Sequence, residues 1–448
     1  MQSHVVIIGG GFAGTLQAIN LLRHDGPRAT LIERRAKAGE GLAYGDAAPN
    51  HVLNVRAASM SALPDRPDHF ADWLRENGHA DPDRAFVPRL VYGQYLRELL
   101  ETAVARQPNR LTVVRGEAVD IDLDDGARIR LADGGAIAAD SAILAIGNLP
   151  PHHPRGLDAA MAGDLYAADP WHGEVAAGLK DTDTVLILGT GLTMVDMVLN
   201  LKANGFGGCI VALSRRGLLP HRHADQPAFD PIDERPASRA STLVRHVRRR
   251  AAAIGWRNAV DELRRFTTPL WRAADAATRE RFLRHLRPWW DVHRHRIAPS
   301  AAEQLDALIA ADRLAVIAGK TLTFEPRGDA LLATFRRRGA DTAETLSVRR
   351  VINCTGPQGD LYAAREPLLQ RLLAKGLIRP DALHIGIDVD SEARVIGASG
   401  QADDRLYAIG PMTRGAFWEI VAVPDIRKQV WSLGRRLSHA HWVGGEGL

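Results

Sequence analysis

The segment HVVIIGGGFAGTLQAINLLRHDG, residues 4–26, runs an apolar strand straight into a glycine turn and then into an amphipathic helix ended by Gly26. The same plan returns as TVLILGTGLTMVDMVLNLKANGFGG, residues 184–208. The segments downstream of the two copies also match. After the first come a strand over Arg28–Ile32 ending at Glu33, a strand over Leu111–Val114, and a meander turning at Asp125-Gly126 and Asp133-Gly134-Gly135. A buried strand in SAILAIGNLPP closes this unit. After the second come a strand in CIVALSRR, a long insertion, a strand over Leu314–Ala318, another meander and the closing strand RRVINCTGP. The repetition predicts two α/β nucleotide-binding domains of Rossmann-like plan, each with a β-meander, and a helical insertion in the second.

Gly9-Gly10-Gly11-Phe12-Ala13-Gly14 is a GxGxxG between strand and helix. Gly9 permits the tight turn, Gly11 lets a pyrophosphate approach the backbone, and Gly14 lets helix pack on strand. The helix N-terminus offers free amides to phosphate. Glu33, with Arg34 beside it, ends the second strand, where a carboxylate can accept both ribose hydroxyls. In the second loop Gly189, Thr190, Gly191, Leu192 and Thr193 repeat the pattern, and Met194 stands where the third glycine would be. At the place of Glu33 the strand Ile210–Ser214 delivers Arg215 and Arg216. Guanidinium groups pair with a 2′-phosphate that an acid would repel, so NADPH is expected here over NADH.

The length of 448 residues suits two or three domains, and 46% apolar with 25% charged residues is the mix of a globular protein. Net charge is only +4, and the basic excess gathers in one Arg-rich stretch without a groove-reading motif, which argues against nucleic acid. No apolar run approaches the roughly 18 residues of a membrane span. The first strand starts almost at Met1 with no leader pattern, which points to a cytoplasmic protein. Cys209 and Cys354 form no CxxC pair and are expected to be ordinary buried thiols, so disulfide reduction is set aside. The insertion, residues 217–299, carries periodic Leu, Val, Phe and Trp with Arg on the expected wet face. It reads either as a structural cap or as a lid over a cleft. The pairs His221/His223 and His293/His295 have no carboxylates at clear spacing and stand among arginines, so no metal is expected.

The loop GGGFAG, the strands ILAIGNLP and NCTG, and the interposed second loop resemble the two-dinucleotide-binding flavoproteins. These include the flavin-containing and N-hydroxylating monooxygenases and the pyridine-nucleotide disulfide reductases. GEGLAYG, HVLNVRAASMSALP, FADWL, GTGLTMVD and YAIGPMTRGAFWEIVAVPDIRKQ are similar to a bacterial branch of FAD/NAD(P)-binding proteins related to ornithine and lysine N-hydroxylases. The resemblance covers essentially the whole chain and implies a glutathione-reductase-type architecture. Residues 1–150 would be the first part of the FAD domain, 151–350 the NAD(P)H domain with its insertion, and 351–448 the second part of the FAD domain. It places Gly9, Gly11, Gly14 and Glu33 on the ADP half of FAD, the backbone of Val119 near adenine, and Gly147 beside the closing strand. The loop from Gly39 to Asn54 would line the ribityl chain and flavin. Gly410 would meet the ribityl chain, although relatives carry Gly-Asp where Pro411 follows here. Pro424 suits the first turn of a helix, with Val423 before it and the positive helix end toward the flavin.

Two chemistries stay open. In a monooxygenase, NADPH reduces FAD, oxygen adds at flavin C4a, and the adduct oxygenates a small molecule. In a reductase, the electrons pass to a quinone, dye or protein. A non-catalytic binding or sensor protein is the third reading. The FxGxxxHxxx signature of flavin-containing and Baeyer–Villiger monooxygenases is not matched by DLYAADPWHGEV, which leaves an N-hydroxylase-like or otherwise divergent activity. Asn54 is the candidate for an amide beside flavin N5, and Arg56 for stabilising a peroxide anion.

Overall fold

The computed structural model describes residues 3–171 and 174–439; His172 and Gly173 of DLYAADPWHGEV and the tail 440–448 lie outside the described residues. The first glycine unit builds a six-stranded sheet. At its centre β1 (His4–Ile8) pairs in parallel with β2 (Arg28–Glu33) on one side and Ser141–Leu144 on the other. Leu111–Arg115 lies outside β2, while Ala402–Ala408 and Arg394–Ile396 complete the far side. Val6 and Ile7 are fully buried, as expected for a parallel strand covered on both faces. Helices α1 (Phe12–Arg23) and α2 (Arg89–Arg106) share one core over this sheet, with Leu16, Leu21 and Leu96 at its centre. Each such side chain contributes on the order of 1.5–3 kcal/mol by leaving water. α1 stops at Arg23, earlier than Gly26: Asp25 takes the left-handed turn at φ 51°, and the Gly26 amide donates back to the Leu21 carbonyl at 2.8 Å.

The second unit repeats the core in a seven-stranded sheet, with β3 (Thr184–Leu188) followed by α3 (Leu192–Ala203) and β4 (Cys209–Ser214). The meander expected after a short strand at Leu314–Ala318 is instead continuous with it. One strand, Leu314–Arg327, pairs in parallel with β4 through Ala318 and then turns antiparallel against Ala330–Arg337. The meander of the first unit, by contrast, is a separate three-stranded sheet. Cys354 is buried, but Cys209, the first residue of β4, is exposed, contrary to the expectation of two buried thiols.

Residues 217–299 form short helices, including Ala240–Ile254, Trp256–Glu262, Thr267–Ala273 and Arg287–Arg294. They pack on the segment that leads into α4 (Val423–Leu437), the helix laid along α1. Trp271 stacks on Trp418 with ring centres 4.6 Å apart and donates its Nε1–H to the Gly415 carbonyl at 2.8 Å. Trp290 donates to Glu419 at 2.8 Å. Among the described residues no helix is long and apolar enough to cross a membrane.

Candidate functional site

A cleft of about 1970 Å3 runs from the first glycine loop to the start of α3. Gly9 and Gly189 hold the same backbone, φ 108° and 109°, and only glycine fits there, since a Cβ would meet the carbonyl oxygens of Ala145 and Cys354 at 2.4 and 2.2 Å. Gly9, Gly11, Phe12 and Ala13 line the cleft. Thr15 is the first residue whose amide bonds back to Gly11, so the amides before it are open donors at a helix N-terminus. Gly10 faces away: its amide donates to Glu33 Oε2 at 2.7 Å, while Glu33 Oε1 accepts the Arg35 amide at 2.8 Å. Two backbone donors thus hold the carboxylate at the cleft wall with further lone pairs free. Arg34 lines the cleft beside it, facing Glu117 at 3.6 Å.

Other expected residues divide. Gly147 and Asn54 are on the lining. The Asn54 carbonyl accepts the Nε2–H of His223 at 2.9 Å. Arg56 is also there, but Asp225 holds its guanidinium and is held in turn by Arg84 at 3.0 Å. Ala118, not Val119, faces the cleft, because the pairing register slips between Ala118 and Asp120 and leaves Val119 as a bulge. Pro411 lines the cleft, whereas Gly410 turns behind it, its amide donating to Gln429 Oε1 at 2.8 Å. Val423 and Pro424 open the N-terminus of α4 onto the cleft. Glycine-loop amides, a fixed carboxylate and a second helix N-terminus make a donor and acceptor set that could hold a flavin dinucleotide.

At the second loop Leu192 and Thr193 line the cleft, while Gly189, Gly191, Arg215 and Arg216 do not. Met194 is fully buried in the core beneath α3. The strand registers correct one alignment. Ile8 pairs with Ile32 and Leu188 with Leu213, so the residue at the place of Glu33 is Ser214, and Arg215 is one step beyond. Ser214 Oγ bonds Thr190 Oγ1 at 2.9 Å, leaving that position without a charge. Arg215 is exposed, and Arg216 lies 5.9 Å above the Trp289 ring.

The insertion supplies a cleft wall through Asn258, Asp261, Arg264, Arg294, His295 and Arg296. Its arginines are not all on a wet face. Arg296 is 6% exposed and grips Asp261 at 2.9 Å; Arg250 covers the fully buried Glu262 at 2.8 Å. Each such guanidinium has a carboxylate to bury against, which periodicity does not show. His221 and His293 pack ring against ring at 4.6 Å beside Trp256. Burial pushes the pKa of His295 down to about 4, and Arg294 next to it adds to the shift.

One cluster has no motif at all. Arg89 at the start of α2 donates to Asp196 of α3 at 2.7 Å, and His51 Nε2–H donates to the Asp196 carbonyl at 3.1 Å. Trp171 lies under the Arg89 guanidinium at 5.6 Å. Burial raises the Asp196 pKa, opposed by Arg89, and lowers that of His51.

Residues 6–149 match the profile of a family described as FAD-NAD(P)-binding. The uncharacterized protein YdhS of Escherichia coli (strain K12) is 27% identical over 210 residues, 43% of this chain and 38% of that one. An L-aspartate N-monooxygenase (nitrosuccinate-forming) of Streptomyces davaonensis is 28% identical over 180 residues, 36% of this chain and 27% of that one. This chain therefore spans well under half the length of these curated relatives. The solved structure of the cadaverine monooxygenase DfoA of Erwinia amylovora, bound to FAD, superposes with TM-score 0.69 at 12% identity, covering 99% of this chain and 98% of that one. Residues 6–149 thus match an FAD-NAD(P)-binding family, and the chain shares the fold of that solved structure along nearly its whole length.

Proposed function

We propose that the protein is an FAD-dependent, NAD(P)H-consuming oxidoreductase, a monooxygenase that hydroxylates a nitrogen of a small molecule. The observation that carries this is one continuous cleft, which joins the N-termini of α1, α3 and α4 under a wall built by the insertion. In this reading the loop amides and Glu33 hold the ADP half of FAD, and the N-terminus of α4 faces the flavin ring. The N-terminus of α3, with Leu192 and Thr193, receives the nicotinamide nucleotide. When bound, FAD supplies hydride acceptance and activation of oxygen. The protein's part is to bind, orient and exclude water. Asn54 offers a side-chain amide on the lining, and the Trp271–Trp418 stack and the Trp290–Glu419 bond keep the wall closed. The FAD-bound monooxygenase fold and the aspartate N-monooxygenase relative support oxygenation over plain electron transfer.

Stopped-flow absorbance tests it. Protein reduced anaerobically by NADPH and then mixed with oxygen is expected to show a transient distinct from both oxidised and reduced flavin. Direct return to the oxidised spectrum, with one H2O2 per NADPH whatever amine is present, would favour the reductase reading. Protein that neither takes up FAD nor oxidises NADPH would end the proposal.

Nucleotide choice gives a second expected result. With Ser214 at the acid's place and Arg215 next to it, NADPH is expected to be used with higher kcat/KM than NADH. Arg215→Ala with Arg216→Ala should cut that preference at least about tenfold, since a charge-assisted bond contributes about 1.5–3 kcal/mol. Ser214→Glu should shift it further toward NADH. Equal kcat/KM for both nucleotides in the unmutated protein would refute the assignment.

A further inference from the structure

Arg414 stands out among the charges of the cleft. It lines the cleft, and its guanidinium makes no hydrogen bond and closes no ion pair with a described residue. Its neighbours are all engaged. Arg264 holds Asp425 at 3.1 Å, Arg294 faces Glu419 at 3.3 Å, and Arg287 faces Asp291 at 3.3 Å. Four charges bear on Arg414 itself: Arg287, Asp291, Glu419 and Asp381. Each of the three acids among them already has a partner. Asp291 is with Arg287; Glu419 is with Arg294 and Trp290; Asp381 accepts the amides of Leu383 and Ile385 at 2.9 Å. None of the three lines the cleft, whereas Arg264, Arg294 and Arg414 do. The one acid on this stretch of wall, Asp261, is taken by Arg296. On this stretch of wall arginines therefore outnumber acids, and the acids nearest Arg414 sit behind it.

Arg414 is half-buried on the cleft wall, and a guanidinium that has lost part of its water and has no carboxylate partner favours an anion that meets it there. Its planar fork matches a carboxylate through two parallel bonds, and it stays protonated near neutrality: burial brings Arg414 down only to about 10. We infer that Arg414, with Arg294 beside it, anchors a carboxylate of the substrate, so that the cleft takes a dicarboxylic amino acid and rejects a diamine or basic amino acid. This rests on the proposed function, and it names the substrate class of the same site. An ammonium group would meet Arg264, Arg294 and Arg414 with no unpaired acid on that wall. A phosphate of either cofactor is the other anion that could reach an arginine, although amides at three helix N-termini already provide for phosphates.

Calorimetry on FAD-loaded protein separates these sources. L-Aspartate, L-glutamate and succinate are titrated against L-lysine and cadaverine, and FAD content and NADP+ affinity are measured alongside. At least one dicarboxylate is expected to bind, and L-lysine and cadaverine are not. Arg414→Gln should weaken the dicarboxylate at least tenfold with FAD content and NADP+ affinity retained. Arg414→Lys, which keeps the charge without the fork, should recover part of the loss. Unmutated protein that binds no dicarboxylate, or prefers lysine, overturns the inference even if the Gln variant does not fold. So does an Arg414→Gln protein that binds dicarboxylate normally, or one that loses FAD or NADP+. NADPH-driven oxygen consumption is followed on the same preparation. Its presence without dicarboxylate binding defeats only this inference, and its absence with binding intact defeats only the proposed function.

Discussion

Gly14→Val is expected to yield colourless protein, with FAD affinity reduced at least about 100-fold, or about 2.7 kcal/mol. A Cβ on Gly14 would stand 1.9 Å from the Gly9 carbonyl oxygen and 3.1 Å from the Ala145 Cβ. The oxygen is backbone of the turn itself, so no side-chain rotation relieves the contact. Only a shift of α1 away from β1 does, and α1 is buried along nearly its whole length. That shift would carry the open amides of Phe12 and Ala13 away from the pyrophosphate position, and overpacking adds about 1–3 kcal/mol of destabilisation. Met194→Ala is the matched control. It occupies the corresponding place in the second loop, where α3 already accommodates a large side chain, so it should leave FAD content unchanged. The ratio of flavin to protein absorbance and FAD titration of refolded protein give the readout. A yellow Gly14→Val protein with stoichiometric FAD would show that the close approach of α1 to β1 is not needed for the dinucleotide.

Local signals carry much of the architecture. A glycine turn between an apolar strand and a helix is specified by adjacent residues, so both loops, their strands and the acid at Glu33 are legible in the sequence. Differences arise where geometry is decided at a distance. Strand count aligns Arg215 with Glu33, but pairing puts Ser214 there. Val119 is displaced by a bulge that depends on the partner strand. The insertion's arginines look solvated in sequence because their partners, such as Glu419 for Arg294 and Asp425 for Arg264, lie far along the chain. Arg414 belongs to no motif, and only its lack of a partner among the described residues of the folded cleft marks it. His51, Arg89 and Asp196 meet across 107 residues or more, a distance over which periodicity says nothing.

That last cluster leads to the second large effect. Arg89→Leu is expected to destabilise the protein by about 3–5 kcal/mol, the usual result of leaving one partner of a buried ion pair uncompensated. The Arg89 and Asp196 side chains are 15% and 9% exposed, so water cannot easily replace the lost guanidinium. Arg89 opens α2, which packs on the first sheet, and Asp196 lies in α3, which packs on the second. The pair therefore fixes one nucleotide unit against the other, and its loss should also blur the cleft that both residues line. Two controls separate charge from packing. Asp196→Asn added to Arg89→Leu removes the stranded carboxylate and should recover a large part of the loss. The pH dependence should follow from burial, which raises the folded pKa of Asp196 above its unfolded value near 3.8. Such a group favours the folded state below the unfolded pKa and loses that contribution as pH rises through the folded one. Without Arg89 to oppose burial, the folded pKa rises further, so the deficit of the Leu variant against unmutated protein should be smallest at acidic pH and grow toward neutrality. Urea unfolding at a series of pH values measures this. A double variant as unstable as Arg89→Leu alone, or a deficit independent of pH, would mean that Arg89 acts through the Trp171 ring and its Nε–H bond to the Val52 carbonyl at 3.3 Å, and not by holding the Asp196 charge.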